Sequence, residues 1–100
     1  MSIVTEGESL FIVDLEYLVP FDQIEPHLEA HMAFVRRGYD SGQFLMSGAK
    51  VPRSGGVILA RGESRAAVEA QMAQDPFLAE GLCALKVTEF RATTLADALK

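Results

Sequence analysis

The first hydrophobic pattern in the chain has a period of two. Residues 9–19 are rich in β-branched and aromatic side chains, and every second position from Phe11 to Val19 is apolar. Alternation of this kind predicts a β-strand with one buried face. The opposite face mixes apolar with acidic side chains, at Leu10, Ile12, Asp14, Glu16 and Leu18. We therefore expect that face to contact something wetter than a hydrophobic core.

The second pattern has the period of a helix. Asp22, followed three residues later by Glu25, resembles a capping box, and Pro26 is tolerated in a first helical turn. We predict a helix from Asp22 to about Ser41, ended by Gly42 in a left-handed conformation. Its apolar stripe consists of Ile24, Leu28, His31, Val35 and Tyr39. One imidazole therefore lies in the middle of the face that should be buried.

A hairpin and a short helix follow. Residues 43–47 and 56–60 are predicted to be strands of an antiparallel hairpin, joined by a loop that contains Gly and Pro. Ser64 is a typical N-cap and predicts a helix that ends near Ala73.

The last part of the chain begins with an Asp-Pro pair. Asp75 as N-cap and Pro76 at the first helical position predict a single turn that ends at Gly81. Alternating apolar positions then predict a final strand over residues 82–92.

The predicted order of elements is βαββαβ. Right-handed connections place both helices on one face of a single antiparallel sheet, which is the ferredoxin-like α+β fold. We expect one domain over residues 1–100, with a core of about 9–92 and a short tail over 93–100. Because the other sheet face lacks cover within one chain, we predict that it is buried against a second copy.

Composition narrows the classes of partner. The formal net charge of −5 repels phosphate backbones, so we expect no nucleic acid. No apolar run approaches the roughly 20 residues of a membrane span, and residues 1–6 lack the basic and then apolar order of a signal peptide. Cys83 is the only cysteine, which excludes an internal disulfide. We therefore expect a cytoplasmic protein that does not bind membranes.

The residues that could bind a metal do not form a complete motif. His27 and His31 are four residues apart on a helix, but the Glu-x-x-His pattern of a zinc protease is missing. A single cysteine cannot assemble a cysteine-based zinc site. We expect no metal, and we interpret Cys83 as a packed, unreactive thiol, because no base is adjacent to it in the sequence.

Several segments together resemble the YCII-related family. They are residues 31–42, 43–48 and 56–59, and Asp75-Pro76-Phe77 followed by Gly81. In that family a helix histidine lies eleven residues before the helix-ending glycine, and His31 has this spacing from Gly42. The family tends to have Ser/Ala-Gly-Pro where this chain has Ser47-Gly48-Ala49, so we expect a different path for the loop after the second strand.

The resemblance implies a dimeric α/β barrel of two ferredoxin-like units, with a pocket in which His31 and Asp75 form an acid/base dyad. At least one similar protein removes chloride from a chlorinated aromatic ring compound. A carboxylate on the second imidazole nitrogen fixes the tautomer, and such a pair can take and return a proton. We therefore expect a homodimer, or a higher oligomer, that acts as a lyase or isomerase on an unidentified small molecule without a cofactor.

Two more residues are candidates for binding the substrate. Ser47, at the end of a strand, can donate a hydrogen bond, and Phe77 can form the wall of a small apolar pocket. Each candidate also has a structural interpretation. Strand-end serines usually form turns, Phe77 suits a core, His31 can be a satisfied core histidine, and Asp75 can be only a helix cap.

Two other functions are consistent with the same residues. The chain could be a non-catalytic ligand-binding or accessory module, whose cleft between subunits holds a ligand or a partner domain. Related dimeric barrels also carry out heme or oxygen chemistry, for which His31 would be an axial ligand.

Overall fold

The computed structural model describes residues 3–100, so Met1 and Ser2, which belong to the stretch compared above with a signal peptide, lie outside the described residues. The strands are β1 (Ser9–Tyr17), β2 (Phe44–Ala49), β3 (Gly55–Arg61) and β4 (Cys83–Arg91). The helices are α1 (Phe21–Ile24), α2 (Leu28–Asp40), α3 (Arg65–Met72) and α4 (Pro76–Ala79). Short 3-10 turns cover Glu25–His27 and Asp97–Leu99. The order of strands and helices is the predicted one, and the strand ends differ from prediction by one or two residues.

The four strands form one antiparallel sheet in the order β2-β3-β1-β4. The register puts Phe11, Val13 and Leu15 on the same face as Ile58 and Ala60, and all five are buried. The helices add Ile24, Phe34, Val35, Val68, Met72 and Phe77 to the same cluster. All helices therefore pack on one face of the sheet, which confirms the ferredoxin-like α+β arrangement.

The predicted long helix is interrupted, and its predicted cap is wrong. α1 begins after the extended Pro20, no side chain caps it, and Asp22 lies inside its first turn. Pro26 has no N–H to donate to the carbonyl of Asp22, so the chain forms a 3-10 turn before α2 begins. α2 ends as predicted, because Gly42 follows it with a φ of 81°. Within residues 3–100, no helix has both the length and the apolar character needed to cross a membrane.

The stripe that α2 buries differs from the predicted one. Val35 is buried as predicted, whereas Tyr39 is 39% exposed. Phe34 and Gly38 are buried instead. A Cβ on Gly38 would lie 2.0 Å from Cδ2 of Phe44. The helix therefore packs closely against β2 only because residue 38 lacks a side chain.

The sheet face opposite the helices, called the outer face below, is covered at one end only. Val4, Leu10 and Ala92 form a second, small buried cluster there. In the middle of the face, Ile12 is 40% exposed and Met46 is 60% exposed. The prediction of an uncovered face is right for the middle of the sheet, and wrong for the end near Leu10, because segments near both chain ends fold over it.

Candidate active site

The single turn α4 positions a buried carboxylate. Asp75 is the N-cap, and its Oδ1 accepts a hydrogen bond from the backbone N–H of Phe77 at 3.1 Å. Pro76 occupies the first helical position, where its missing N–H does no harm. Asp75 is fully buried, and it is the only buried polar or charged residue among residues 3–100. A buried carboxylate needs partners, because burial of an unpaired charge is very unfavourable.

The second partner of this carboxylate comes from α2. The Nδ1 atom of His31 lies 2.9 Å from Oδ1 and 3.0 Å from Oδ2 of Asp75. The imidazole also stacks on the ring of Phe77, with 4.0 Å between ring centroids and an interplanar angle of 5°. Phe77 therefore contacts both members of the pair, the carboxylate through its amide and the imidazole through its ring. The structure brings together three of the four predicted site residues.

The hydrogen bond determines which imidazole nitrogen carries the proton. A carboxylate only accepts hydrogen bonds, so Nδ1 of His31 must donate to Asp75. In the neutral ring the lone pair then lies on Nε2. The His31 side chain is 14% exposed, and it lines a cavity. The pair can therefore present a base to a molecule in that cavity.

The cavity lies between the sheet and α2 and has a volume of about 260 Å³. Its walls are mainly apolar, and include Leu15 and Ile58 from the sheet and Leu28 and Val35 from the helix side. An apolar cavity of about 150 Å³ binds benzene. The space is thus sufficient for one six-membered ring with a few substituents.

Ser47 lines the same cavity and contacts Tyr39, since the Ser47 hydroxyl and the Tyr39 hydroxyl form a hydrogen bond. The register of β2 against β3 shifts between Phe44 and Met46, and this bulge places Ser47 opposite the inward-facing Ile58. Without the extra residue, strand alternation would point Ser47 to the outer face. The sequence carried no clear signal of this bulge.

The cavity wall also includes Tyr17 and Arg53, which were not among the predicted site residues. Tyr17 packs edge-on against Phe77, with ring centroids 6.2 Å apart. Arg53, in the loop between β2 and β3, lies with its guanidinium carbon 4.6 Å from the ring centroid of Phe21. The alternation of β1 put Tyr17 on the inward face. No local pattern indicated the direction of Arg53, because it depends on the path of the hairpin loop.

Cys83 is buried near the His31–Asp75 pair, and the pKa of its thiol is raised. Burial, together with the negative charge of Asp75, raises the pKa of the Cys83 thiol from 9.0 to about 11. The thiol is therefore protonated at neutral pH and is not a nucleophile. This agrees with the prediction of a packed, unreactive cysteine.

The cavity volume and the spacing of ligating side chains bear on the binding of heme and of metal ions. The cavity of about 260 Å³ beside His31 is smaller than the pockets of about 300–1,000 Å³ that bind drug-sized molecules. Among residues 3–100, no three His, Cys, Asp or Glu side chains converge to hold a metal ion.

The fold and the site define a ferredoxin-like α+β domain with an imidazole and carboxylate pair at a one-ring cavity. A family model described as the YCII-related domain matches residues 8–91, so the chain belongs to the YCII-related family. None of the curated proteins compared with the chain matches it significantly.

One solved structure is similar to this chain over most of the length of both proteins. It is 5-chloro-2-hydroxyhydroquinone dehydrochlorinase (TftG) from Burkholderia phenoliruptrix AC1100, in complex with 2,5-dihydroxybenzoquinone. The TM-score is 0.68 at 20% sequence identity, over 79% of this chain and 90% of that chain. The likeness supports the fold derived above.

Proposed function

We propose that this protein is a small-molecule lyase or isomerase in which His31 is the general base. The observation that carries the proposal is the hydrogen bond from Nδ1 of His31 to the buried Asp75, which leaves Nε2 as the basic nitrogen. Imidazole exchanges protons near neutral pH, and a positioned acid/base group accelerates reactions by about 10²–10⁴. This range suits activated substrates with acidic protons.

The proposed lyase reaction starts with transfer of a proton from the substrate to Nε2 of His31. The electron pair of the broken bond forms a new π bond, and the leaving group departs from a tetrahedral carbon with its own bonding pair, for example as chloride. Where the chlorine is on an aromatic ring, Nε2 first moves a hydroxyl proton to the carbon that bears the chlorine, and takes a second hydroxyl proton as chloride leaves. The proton then passes from Nε2 to water. In an isomerase, Nε2 returns the proton to another atom of the substrate. Because no electrons leave the substrate and its leaving group, neither reaction needs an oxidant or a redox cofactor.

The other site residues have supporting roles in this proposal. Asp75 is a positioning residue that fixes the tautomer of His31 and stabilises the imidazolium that forms. Phe77 keeps the imidazole plane fixed by stacking and forms part of the cavity wall. Ser47 is proposed to donate a hydrogen bond to a substrate oxygen.

The test measures chloride release from 5-chloro-2-hydroxyhydroquinone, the compound in the name of the similar enzyme, and deuterium exchange into non-chlorinated enolisable ring compounds. The His31→Asn variant keeps an N–H near the position of Nδ1 and removes the Nε2 base. We expect its rate enhancement over buffer to be lower than that of the wild type by a factor of about 10²–10⁴. His27→Asn, which changes the other histidine, is the matched control and should keep the wild-type rate.

Full turnover in His31→Asn would contradict the proposal. Binding of these compounds without turnover of any of them would favour the alternative, a non-catalytic ligand-binding module.

We also propose that the protein is a homodimer joined through the middle of the outer face. The ladder aligns Met46, Leu59 and Ile12 in one row across this face, and Met46 and Ile12 are exposed. Val57 and Phe90 add further exposed apolar side chains to the same face. A second copy would remove this surface from water. The cytoplasm remains the proposed location, since a reducing compartment suits a chain with a single buried thiol.

A further inference from the structure

The lining of the cavity carries a positive charge at Arg53, and the nearest negative charge is the buried carboxylate of Asp75 behind His31. Among the described residues 3–100, Arg53 is the only side chain of the lining with a permanent positive charge, and no Asp or Glu belongs to the lining. The partner carboxylate, Asp75, is fully buried and is not part of the lining. The chain as a whole carries a net charge of −5, so the lining of the cavity differs in sign from the chain as a whole.

Arg53 is held at the cavity by its loop. The backbone N–H of Tyr17 donates to the carbonyl of Ser54 at 2.9 Å, and that of Lys50 donates to the carbonyl of Gly55 at 2.9 Å. The Arg53 guanidinium lies over the ring of Phe21, in a geometry that favours a cation–π contact. The backbone hydrogen bonds hold the loop, and the guanidinium of the exposed Arg53 lies beside the ring of Phe21.

The two cations of this loop differ in their partners. The Nζ atom of Lys50 lies 2.7 Å from Oδ1 of Asp14 and is thereby neutralised. No carboxylate among residues 3–100 lies within the 4.0 Å salt-bridge distance of Arg53. Its guanidinium, which can bind a planar anion through two parallel N–H groups, is available to a ligand.

We infer that the cavity binds a weakly acidic one-ring compound, a phenol or enol, in its anionic form, and that Arg53 recognises the negative oxygen. The inference rests on the proposed function and adds the substrate class. The cavity volume of about 260 Å³ limits the ligand to one substituted ring. The rings of Tyr17 and Phe77 supply aromatic walls, and Nε2 of His31 supplies the base. An enolate oxygen conjugated with a tetrahedral ring carbon can also expel a leaving group from that carbon.

The test uses 4-nitrophenol as the probe, because its phenolate absorbs visible light and its phenol does not. Absorbance titrations at several pH values report both binding and the ionisation state of the bound probe. We expect the wild-type protein to bind the phenolate in preference to the phenol, and so to lower the apparent pKa of the probe. Arg53→Gln should weaken phenolate binding about tenfold, since hydrogen bonds to charged groups are strong.

Two variants serve as controls. Arg36→Gln removes the same charge from the exposed side of α2, outside the cavity, and should leave phenolate binding unchanged. Arg53→Lys keeps the charge without the planar fork and should bind with intermediate affinity.

Equal phenolate affinities of wild type and Arg53→Gln would overturn the inference, and so would preference for the neutral phenol. The binding result is independent of turnover. An Arg53-dependent preference for the anion supports the inference even if His31→Asn keeps full activity, and loss of turnover in His31→Asn supports the catalytic proposal even if Arg53→Gln binds normally.

Discussion

At the scale of single residues, Asp75 has two tasks that one side chain can perform together. Its Oδ1 caps α4 through the amide of Phe77, and both its oxygens lie within hydrogen-bond distance of Nδ1 of His31. From the sequence, a helix cap and a partner for the imidazole were compatible expected roles of this carboxylate. The capping interpretation is confirmed, and the buried position explains why the carboxylate also requires the imidazole.

Asp75→Asn separates these two tasks. Asparagine caps helices as well as aspartate does, so we expect the fold to persist. The amide can donate to Nδ1 and favour the tautomer with the proton on Nε2, which removes the base. We predict a loss of activity of about 10²–10⁴ with nearly unchanged thermal unfolding. Wild-type turnover in this variant would show that the carboxylate does not orient the imidazole.

Cys83 provides a pH-dependent prediction. With a pKa of about 11, the folded thiol carries roughly a hundredfold less thiolate at about pH 8 than an ordinary thiol. We predict that iodoacetamide modifies the native protein far more slowly than the protein in denaturant. Alkylation at equal rates would contradict the protonated, buried thiol.

The raised pKa of Cys83 also determines how the stability of the protein changes with pH. Because the folded pKa lies above the unfolded one, this contribution to stability is complete below the ordinary pKa of 9.0 and is lost as the pH rises towards 11. Cys83→Ala should therefore lose less of its free energy of unfolding over that range than the wild type.

At the scale of elements, local signals predicted the parts of the site that depend on local chemistry. Ser64 caps α3 as predicted, and the Asp-Pro pair begins α4 as predicted. Gly42 and Gly81 have positive φ where the helices were expected to end. Each of these assignments depends on backbone groups within a few residues, which is why sequence alone was sufficient.

Other elements could not be predicted because distant contacts determine them. The bulge that points Ser47 inward depends on the pairing of β2 with β3. The direction of Arg53 depends on Phe21, which lies far away in the sequence. The capping box at Asp22 was a false local signal, because Pro26 interrupts the helix that it was expected to begin.

Gly38→Ala tests the contact between α2 and β2. Alanine normally stabilises a helix interior relative to glycine by about 0.5–1 kcal/mol. Here the new Cβ would lie 2.0 Å from the buried ring of Phe44, and overpacking of this kind costs about 1–3 kcal/mol. We predict a net decrease in the free energy of unfolding, measured by urea denaturation.

A second substitution isolates the cause of that decrease. Leucine at residue 44 leaves more room for the new Cβ. Gly38→Ala should therefore cost less free energy of unfolding in the Phe44→Leu background than it does in the wild-type background. A stabilising effect of Gly38→Ala in the wild-type background would contradict the close packing.

At the scale of the whole molecule, the exposed apolar side chains of the outer face predict that two copies of the chain associate. Ile12→Glu places a charge in the middle of the apolar row, and we expect it to convert a dimer to a monomer in sedimentation experiments. Val51→Glu makes the same change of charge at a loop residue that is 98% exposed, and it should leave the dimer intact. A monomeric wild-type protein at micromolar concentration would rule out a stable dimer through this face.

We expect His31 to present an unprotonated Nε2 to the cavity, because Asp75 holds the proton on Nδ1. Long-range ¹⁵N–¹H correlation spectra of the imidazole rings measure this directly, on the high-pH side of the ring titration and without a substrate. We predict that neutral His31 is the Nδ1–H tautomer, and that Asp75→Ala removes this preference. A neutral His31 with its proton on Nε2 in the wild-type protein would contradict it.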